Sequence, residues 1–217
     1  MKRIVIFDFD NVIIRGQSQL YLVNYLIKKD KIKISIALQI YFWFLIKKIG
    51  FHISPLKIRN IAYKTFKGWT VEYFEDFFKK FNSEVIQNYY ILDTCQLIKN
   101  HIENKDEVFI VSASLKEIVE SCLSYLNVNS CIATELEVVD NKYTGFVKGV
   151  VPFGQGKCLL VKEYIDRKNF DWKSCVAYTD DFSDLELLNL VALPILINPD
   201  SRMRRIAVEK GWEVYDF

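Results

Sequence analysis

The sequence predicts an α/β fold built on a doubly wound parallel sheet, with an inserted helical cap and a small β-hairpin. Short runs of β-branched and aromatic residues lack polar alternation, which is typical of strands buried on both faces. Helical patterns follow most of these runs, and strands that alternate with helices favour a parallel sheet. The chain has 217 residues and is 51% hydrophobic, which is enough for a sizeable core.

Four runs carry the strand predictions, and three helices are predicted behind them. The strands are 3–8, 108–112, 175–179 and 194–197, and the helices are 115–126, 183–191 and 200–210. Ligands of such sheets bind at the carboxyl ends of the strands. Residues 135–148 instead alternate apolar and polar side chains around Asp140-Asn141, which predicts the hairpin.

Residues 14–90 carry helix signals and little strand signal, so they are predicted as the cap, with 1–13 and 91–217 as the core domain. Ser54-Pro55 is typical of a helix start and Gly68 of a helix end, and Thr70 is a candidate N-cap of the next helix. That next helix has an aromatic stripe, interpreted as core packing and formed by Tyr73, Phe74, Phe77, Phe78 and Phe81.

Charge is unevenly distributed between the cap and the core domain. The whole chain has a net charge of +2, which argues against a nucleic-acid partner. Residues 14–90 hold 13 Lys and Arg against 5 Asp and Glu, whereas the rest holds 16 against 22. A basic cap over an acidic core predicts an anionic substrate, and solvated helix faces are the alternative.

Segment 33–48 is the most apolar part of the chain, since only Ser35 and Gln39 are polar between Ile34 and Ile46. A membrane-spanning helix needs about 20 apolar residues, so this segment is too short to cross. A buried cap helix is one interpretation. Peripheral membrane contact is the other, because lysines flank the segment at 28, 29, 31, 33, 47 and 48.

Cysteine and histidine usage indicates the compartment and narrows the metal chemistry. Five cysteines lie scattered without a C-x-x-C pair, which indicates reduced thiols and a cytoplasmic protein, membrane-associated if segment 33–48 contacts lipid. The first apolar run is too short and too acidic for a signal peptide. His52 and His101 are far apart, so a histidine-based zinc site is not expected.

Asp8 and Asp10 stand at the end of the first predicted strand, where alternation places both on the same side of the chain. Adjacent carboxylates repel, so burying both requires a cation or a shared proton. Mg²⁺ is the natural partner of carboxylate oxygens. One carboxylate can then act as a nucleophile while the other transfers protons.

Three further segments place polar groups after predicted strands or at a helix start. Asp180 and Asp184 lie in YTDDFSD, where a helix start would hold both near one point, and an N-cap cluster is the alternative. Ser112 ends the predicted strand 108–112 and is a phosphate donor or an ordinary N-cap. Lys157 lies in GQGKCLLV, which is not a Walker A loop, and an exposed surface lysine is the alternative.

Together these segments resemble the haloacid dehalogenase-like (HAD) hydrolase superfamily over the full chain. The four motifs are FDFDNV, FIVSAS, Lys157 and TDDFSD, and the insert after the first resembles the C1 helical cap of the phosphoserine phosphatase-like branch, subfamily IB. VSAS, FGQGK and the tail NPDSRMRRIAVEKGW are similar to the same branch. The resemblance implies a Rossmann-like core and a Mg²⁺-dependent phosphomonoester hydrolase with an aspartyl-phosphate intermediate.

The resemblance also implies a role for each motif residue. Asp8 would be the nucleophile and Asp10 the general acid and base. Asp8, the Asp10 backbone carbonyl and Asp180 would hold Mg²⁺. The remaining groups would support the site: Asp184 beside the metal, Ser112 with backbone amides near Asn11 and Ala113 around the phosphoryl oxygens, and Lys157 neutralising charge. The role of Asp181 stays open.

The substrate is less well defined by the sequence. The resemblance predicts a Glu that contacts the substrate amine nine residues after the nucleophile, but Gln17 stands there and pairs poorly with an ammonium group. The apolar segment and basic cap favour a lipid or amphiphilic phosphate, as in phosphatidylglycerophosphatases. Alternatives are a phosphoserine phosphatase-like enzyme on a small soluble metabolite, a membrane-peripheral binding protein, and a phospho-receiver switch.

Overall fold

The computed structural model describes residues 3–48 and 61–217. The strands are β1 (Ile4–Phe7), β2 (Glu107–Leu115), β3 (Cys131–Val139), β4 (Lys142–Lys148), β5 (Cys175–Thr179), β6 (Leu193–Ile197) and β7 (Glu213–Tyr215). The α-helices include α1 (Ser18–Lys28), α2 (Ile34–Lys48), α3 (Val71–Glu84), α4 (Leu92–Glu103), α5 (Lys116–Leu126), α6 (Gln155–Arg167), α7 (Leu185–Leu190) and α8 (Ser201–Lys210).

The strands form one seven-stranded sheet in the order β4-β3-β2-β1-β5-β6-β7. Strand β4 runs antiparallel to β3, and the other neighbouring pairs are parallel. Along β1, Val5 and Phe7 pack with α1, α3, α4 and α5, whereas Ile4 and Ile6 pack with α6, α7 and α8. Both faces of the sheet are therefore buried, and the predicted doubly wound, Rossmann-like α/β class is confirmed.

Two elements differ in extent or type from their prediction, and one strand was not predicted. Strand β2 continues past Ser112, because Leu115 still pairs with Thr134 of β3 after an irregularity in register. The predicted helix 183–191 is a 3₁₀ turn, Phe182–Asp184, followed by α7. Strand β7 was not predicted, because three residues at a sheet edge are too few for a periodic pattern.

The predicted hairpin is present as β3 and β4, joined at Asp140 and Asn141. Both turn residues have positive φ, at 48° and 60°. A two-residue turn of this kind matches the twist of its flanking strands, and Asn and Asp tolerate positive φ better than other non-glycine residues. The local sequence is therefore sufficient to fix the position of this turn.

Helix α3 carries the predicted aromatic stripe with one correction. Its N-cap is Thr70, whose side chain accepts a hydrogen bond from the Tyr73 amide at 3.3 Å. The Tyr73 ring is 41% exposed, so its prediction as a core residue is wrong. Its ring lies at the edge of the stripe, 4.8 Å from the Trp69 ring. The other members are buried: Phe74, Phe77, Phe78 and Phe81.

The predicted helix start at Ser54-Pro55 lies outside the described residues. The described end of that region is a 3₁₀ turn, Lys64–Phe66, and Gly68 follows at a φ of +84°. The backbone then meets β4, since the Gly68 amide donates to the Tyr143 carbonyl at 2.8 Å. The cap is thereby joined to the hairpin by backbone hydrogen bonds.

The two ends of the cap lie side by side. The Arg15 amide donates to the Tyr89 carbonyl at 2.8 Å, and the Ile91 amide donates to the Ile13 carbonyl at 2.9 Å. The chain therefore leaves the core domain and returns to it at one place. The division at 13/14 and 90/91 stays a prediction.

Helix α2 is apolar on two faces. On one face Ala37 and Ile40 are buried and cluster with Val23 of α1. The other face carries large side chains that are 56% to 69% exposed, namely Ile34, Leu38, Phe42 and Leu45. Across residues 3–48 and 61–217, every helix is too short or too polar to span a bilayer. Helix α2 differs from the amphipathic α3 because one of its apolar faces is exposed.

Candidate active site

The candidate site lies where β1, β2 and β5 end. In the sheet, Phe7 of β1 pairs with Ile110 of β2 on one side and with Tyr178 of β5 on the other. Asp8 follows β1 directly, and its amide donates to the Tyr178 carbonyl at 2.9 Å. Residues that follow these paired positions are thereby brought to one edge, as the sequence predicted for the strand ends.

Lys157 lies in the first turn of α6 and forms ion pairs with two of the predicted site residues. Its Nζ atom is 2.9 Å from Asp8 Oδ2 and 2.6 Å from Asp184 Oδ2. Lys157 is only 3% exposed, so the alternative of a surface lysine is excluded. Thr179 Oγ1 also donates to Asp184 Oδ2. Asp184 therefore holds Lys157 against Asp8.

Burial and charge act in opposite directions on this buried pair. Burial raises the pKa of the Asp8 carboxyl well above its usual range, Lys157 opposes the rise, and Asp184 and Asp180 add to it. Burial by itself lowers the pKa of the Lys157 ammonium, but Asp184 and Asp8 outweigh it and raise that pKa. Lys157 is therefore a fixed positive charge beside Asp8.

Asp180 and Asn11 meet on the other side of the site. Asn11 Nδ2 donates to Asp180 Oδ2 at 2.8 Å. Burial raises the pKa of Asp180 to about 7, Asn11 opposes the rise, and Asp181 and Asp184 add to it. The Asn11 backbone amide donates to the Gly16 carbonyl at 3.1 Å, so its contact with the acidic groups runs through its side chain.

Asp10 has different partners from Asp8. Its Oδ1 atom accepts from the Ser18 amide at 2.7 Å. Its Oδ2 atom accepts from Ser114 Oγ at 2.7 Å and from Ser18 Oγ at 3.2 Å. The two hydroxyl oxygens are 2.6 Å apart, and both serines are fully buried. Hydroxyl and amide groups thus orient this carboxylate.

Ser112 and Ala113 precede Ser114 in β2. Ser112 is 1% exposed, and its Oγ atom accepts from the Ser114 amide at 3.1 Å. Helix α5 has Leu115 as its N-cap residue, so the alternative of Ser112 as a helix cap does not hold. The Ala113 carbonyl accepts from Thr134 Oγ1 at 2.8 Å. The phosphate-binding roles of Ser112 and of the Ala113 amide stay predictions.

The sequence alone does not assign Ser18, Ser114 or Thr179 to the site. Ser18 begins α1 and has no motif around it, and Ser114 stands out only as part of VSAS. Thr179 is the last residue of β5, so its reach to Asp184 depends on the intervening turn. In that turn Asp181 is the N-cap, and its side chain accepts from the Ser183 amide at 2.8 Å.

The residues present fit a hard divalent cation. Asp184 Oδ1 is buried and has no hydrogen-bond partner, although the opposite oxygen of that carboxylate has two. The raised pKa of Asp180 shows a carboxylate in need of positive charge. Among the described residues no three His, Cys, Asp or Glu side chains form a ready metal cluster. Backbone oxygen and water would therefore complete the coordination that Mg²⁺ requires.

A doubly wound sheet with paired aspartates and a buried lysine at its carboxyl edge defines the class of the protein as a hydrolase built on an α/β core. The sequence matches the haloacid dehalogenase-like hydrolase family over residues 5–189. The chain belongs to this family, and the predicted resemblance is confirmed. Family membership argues against the phospho-receiver alternative.

The chain is similar to several bacterial phosphatases and hydrolases. It is 27% identical to a putative hydrolase of Mycobacterium leprae, with 97% of this chain and 71% of the relative covered. It is 27% identical to a phosphoserine phosphatase of Mycobacterium tuberculosis, covering 97% and 70% of the two chains. A histidinol-phosphatase of Neisseria meningitidis is 27% identical over 100% of both chains. These names agree with the predicted enzyme class, a phosphomonoester phosphatase.

Two solved structures share the fold. A protein of unknown function from Bordetella pertussis superimposes with a TM-score of 0.89 at 20% identity, covering 100% of this chain and 99% of its own. A substrate-bound phosphoserine phosphatase superimposes with a TM-score of 0.70 at 17% identity, covering 94% and 90%. At these identities the likeness supports the fold alone.

Proposed function

We propose that the protein is a Mg²⁺-dependent phosphomonoester hydrolase that works through an aspartyl-phosphate on Asp8. The observation that carries the proposal is the difference between the partners of Asp8 and Asp10. Asp8 lies 2.9 Å from a fixed ammonium group, whereas Asp10 accepts from hydroxyl and amide groups. A nucleophile and a proton-transferring group need such different surroundings.

The reaction has two steps. A carboxylate oxygen of Asp8 attacks phosphorus, the bond between phosphorus and the ester oxygen breaks, and Asp10 gives its proton to that oxygen. Water then attacks the phosphorus of the aspartyl-phosphate while Asp10 accepts a proton from the water. Inorganic phosphate leaves and the Asp8 carboxylate is restored.

The remaining groups provide positioning and charge. Mg²⁺ would be held by Asp8, the Asp10 backbone carbonyl and Asp180, and when bound it neutralises charge on the phosphoryl group. Lys157 neutralises charge shared by Asp8 and the phosphate, and Asp184 keeps its ammonium group in place. Ser112 and backbone amides near Asn11 and Ala113 would donate to the phosphoryl oxygens.

The test is a phosphate-ester panel with Mg²⁺ or with EDTA, combined with acid-quench labelling by a phosphate ester carrying ³²P. We expect Mg²⁺-dependent phosphate release and an acid-stable, alkali-labile label on the wild-type chain. Asp8→Asn should lose both, because an amide oxygen is a poor nucleophile. Release of phosphate by Asp8→Asn at the wild-type rate would contradict the proposal.

One candidate substrate class is a small soluble phosphate ester. The phosphoserine phosphatase and histidinol-phosphatase names of the relatives support it. Gln17 precedes α1 directly, where the resemblance predicts a Glu that contacts the substrate amine. Because a neutral amide pairs weakly with an ammonium group, phosphoserine should be a poorer substrate than an ester without an amine.

An intracellular location, indicated by five free cysteines, belongs to the same proposal.

A second candidate class is a lipid or amphiphilic phosphate, and the exposed face of α2 supports it. Exposed lysines at 28, 29, 31 and 33 precede that face. A narrow apolar cavity lies between α1, α2 and the start of α5, lined by Leu22, Ile40 and Leu115 among others. Leu115 is next to Ser114, which contacts Asp10. With a volume of about 20 Å³, close to that of one water molecule, this cavity does not admit an acyl chain, so the candidate rests on the exposed face of α2.

Vesicle flotation with phosphatidylglycerol separates the two candidates. A Leu38→Ser/Phe42→Ser variant should float less than wild type, because both side chains lie on the exposed face of α2. Val208→Ser is the matched control, since Val208 is 79% exposed on α8. A wild-type chain that stays unbound, and that hydrolyses soluble esters faster than phospholipid phosphates, would exclude the amphiphilic candidate.

A further inference from the structure

Two buried serine hydroxyls from distant parts of the chain meet on one oxygen of Asp10. Ser18 is the first residue of α1 in the cap, and Ser114 lies in β2 of the core domain. Their hydroxyl oxygens are 2.6 Å apart, and Asp10 Oδ2 is 2.7 Å from Ser114 Oγ. Both serines have 0% exposure. Burying two polar groups in this way costs free energy of folding unless their hydrogen bonds are satisfied.

The other oxygen of Asp10 is held by the backbone of the same helix. Asp10 Oδ1 accepts from the Ser18 amide at 2.7 Å, at the N-terminus of α1. A helix N-terminus favours a negative carboxylate, and the backbone donor fixes which oxygen faces it. Oδ2 is therefore the oxygen directed at the two hydroxyl groups.

We infer that Ser114, together with Ser18, is a positioning residue for proton transfer by Asp10. The inference rests on the proposed function. A hydroxyl group both donates and accepts a hydrogen bond, whereas a lysine or a backbone amide only donates. The pair can donate to the carboxylate of Asp10 and can accept from its protonated form. Asp10 thus keeps one orientation when it gives a proton to the leaving oxygen and when it takes one from water.

The competing explanation is that the serine pair only ties the cap to the core domain. Ser18 and Ser114 are 96 residues apart in sequence, so their contact joins two distant segments. A purely structural contact would affect all substrates alike. A contact that orients Asp10 for proton donation would matter most when the leaving oxygen needs a proton.

The experiment compares kcat/KM for an alkyl phosphate, glycerol 3-phosphate, and an aryl phosphate, p-nitrophenyl phosphate. The aryl leaving group departs as an anion and needs little proton donation, whereas the alkyl group needs it. General acid catalysis contributes roughly 10²–10⁴-fold, so Ser114→Ala should lower kcat/KM for the alkyl ester about 10- to 100-fold. We expect a loss of no more than about 3-fold for the aryl ester, which needs little of that contribution.

The control is Ser121→Ala, which removes a hydroxyl that donates to the Ile118 carbonyl within α5. It should leave the ratio of the two kcat/KM values at the wild-type level. Ser18→Ala tests the same pair independently of Ser114→Ala, and it should shift the ratio in the same direction. If Ser114→Ala does not fold, as judged by its melting transition, Ser18→Ala carries the test.

Equal losses of kcat/KM on both esters in a folded variant would overturn the inference. The serine pair would then be a structural contact only. An unchanged ratio in both Ser114→Ala and Ser18→Ala would overturn it as well. If the wild-type chain hydrolyses no ester of the panel in the presence of Mg²⁺, the proposed function fails first, and if it hydrolyses others, an alkyl and an aryl ester are chosen from those; this separates the two failures.

Discussion

Asp8 and Asp10 are one residue apart, yet their surroundings differ in kind. Asp8 forms an ion pair with Lys157, and Lys157 forms a second ion pair with Asp184. This half of the site therefore consists of charged groups with little exposure to solvent. The described partners of Asp10 are instead two hydroxyl groups and an amide at a helix N-terminus, which are neutral dipoles. Identical side chains therefore acquire different chemistry from their neighbours. The charge of Lys157 favours the anionic form of Asp8 against the effect of burial, and hydroxyl groups suit a carboxyl that must exchange a proton.

Asp10→Asn should disable the Asp10 half of the site and leave the Asp8 half functional. Asparagine can neither donate a proton as an acid nor accept one as a base, so turnover should fall by about 10²–10⁴-fold. With p-nitrophenyl phosphate, Asp8 should still become phosphorylated, and the label should accumulate because its hydrolysis lacks a base. Acid-quench labelling and release of nitrophenol measure both steps. Absence of any label in a folded Asp10→Asn variant would remove the proposed division of roles.

Lys157→Met should disable the Asp8 half of the site and also destabilise the fold. It leaves Asp8 and Asp184 buried without their cation, and loss of one partner of a buried ion pair costs about 3–5 kcal/mol. Urea denaturation should show this loss in the free energy of unfolding. Activity should fall by about 10²–10³-fold, because a positive charge beside the nucleophile is lost.

Lys168→Met is the matched control for Lys157→Met. Lys168 Nζ lies 2.9 Å from Glu107 Oε1, but the lysine side chain is 47% exposed. Water solvates both charges when this pair is broken, so stability should remain close to that of the wild type. An equal loss of stability in the two variants would show that burial is not what makes Lys157 important.

Glu117 provides a third case, a mostly buried carboxyl that forms no ion pair with the residues the structure describes. Its Oε2 atom is buried without a hydrogen-bond partner, and Oε1 is 3.5 Å from the Tyr143 hydroxyl. Burial raises the pKa of Glu117 to about 7, from an ordinary value of 4.5. The unfolded chain therefore loses its proton first as pH rises. Stability from this group is present below pH 4.5 and is lost progressively up to about pH 7.

Glu117→Gln should therefore stabilise the protein at pH 8 and leave it unchanged at pH 4. The gain at pH 8 is at most about 3 kcal/mol, because the neutral amide avoids the cost of ionising a carboxyl whose pKa is raised from 4.5 to about 7. Urea denaturation at the two pH values measures it, with Mg²⁺ and EDTA held constant. A gain of the same size at both pH values would mean that packing, rather than ionisation, is responsible.

The sequence identified the charged half of the site better than the hydroxyl half. Asp8, Lys157 and Asp184 each stand in a recognisable motif beside a strand or helix start. Their motifs can be read locally, since strand ends of a parallel sheet converge at one edge. Ser18 is different, because its contact with Ser114 depends on how the cap folds back over the sheet. No local pattern encodes that approach.

The same contrast applies to the two most apolar helices of the cap. Spacing alone predicted that α3 buries its phenylalanines, because polar residues occupy its opposite face. It misplaced Tyr73, which is adjacent to the stripe but turned to its edge. For α2 the apolar residues surround the helix, so spacing does not indicate which face packs. The cluster with Val23 of α1 is what distinguishes the buried face from the exposed one among the described residues.

The paired ends of the cap have a consequence for how such enzymes diversify. Residues 13–15 and 89–91 are hydrogen-bonded to each other. The two connections between the predicted cap and the core domain are therefore adjacent. A segment attached this way can be lengthened, shortened or grafted from a relative while the sheet keeps its register. We therefore expect changes of substrate to arise in this segment while the groups around Asp8 are kept.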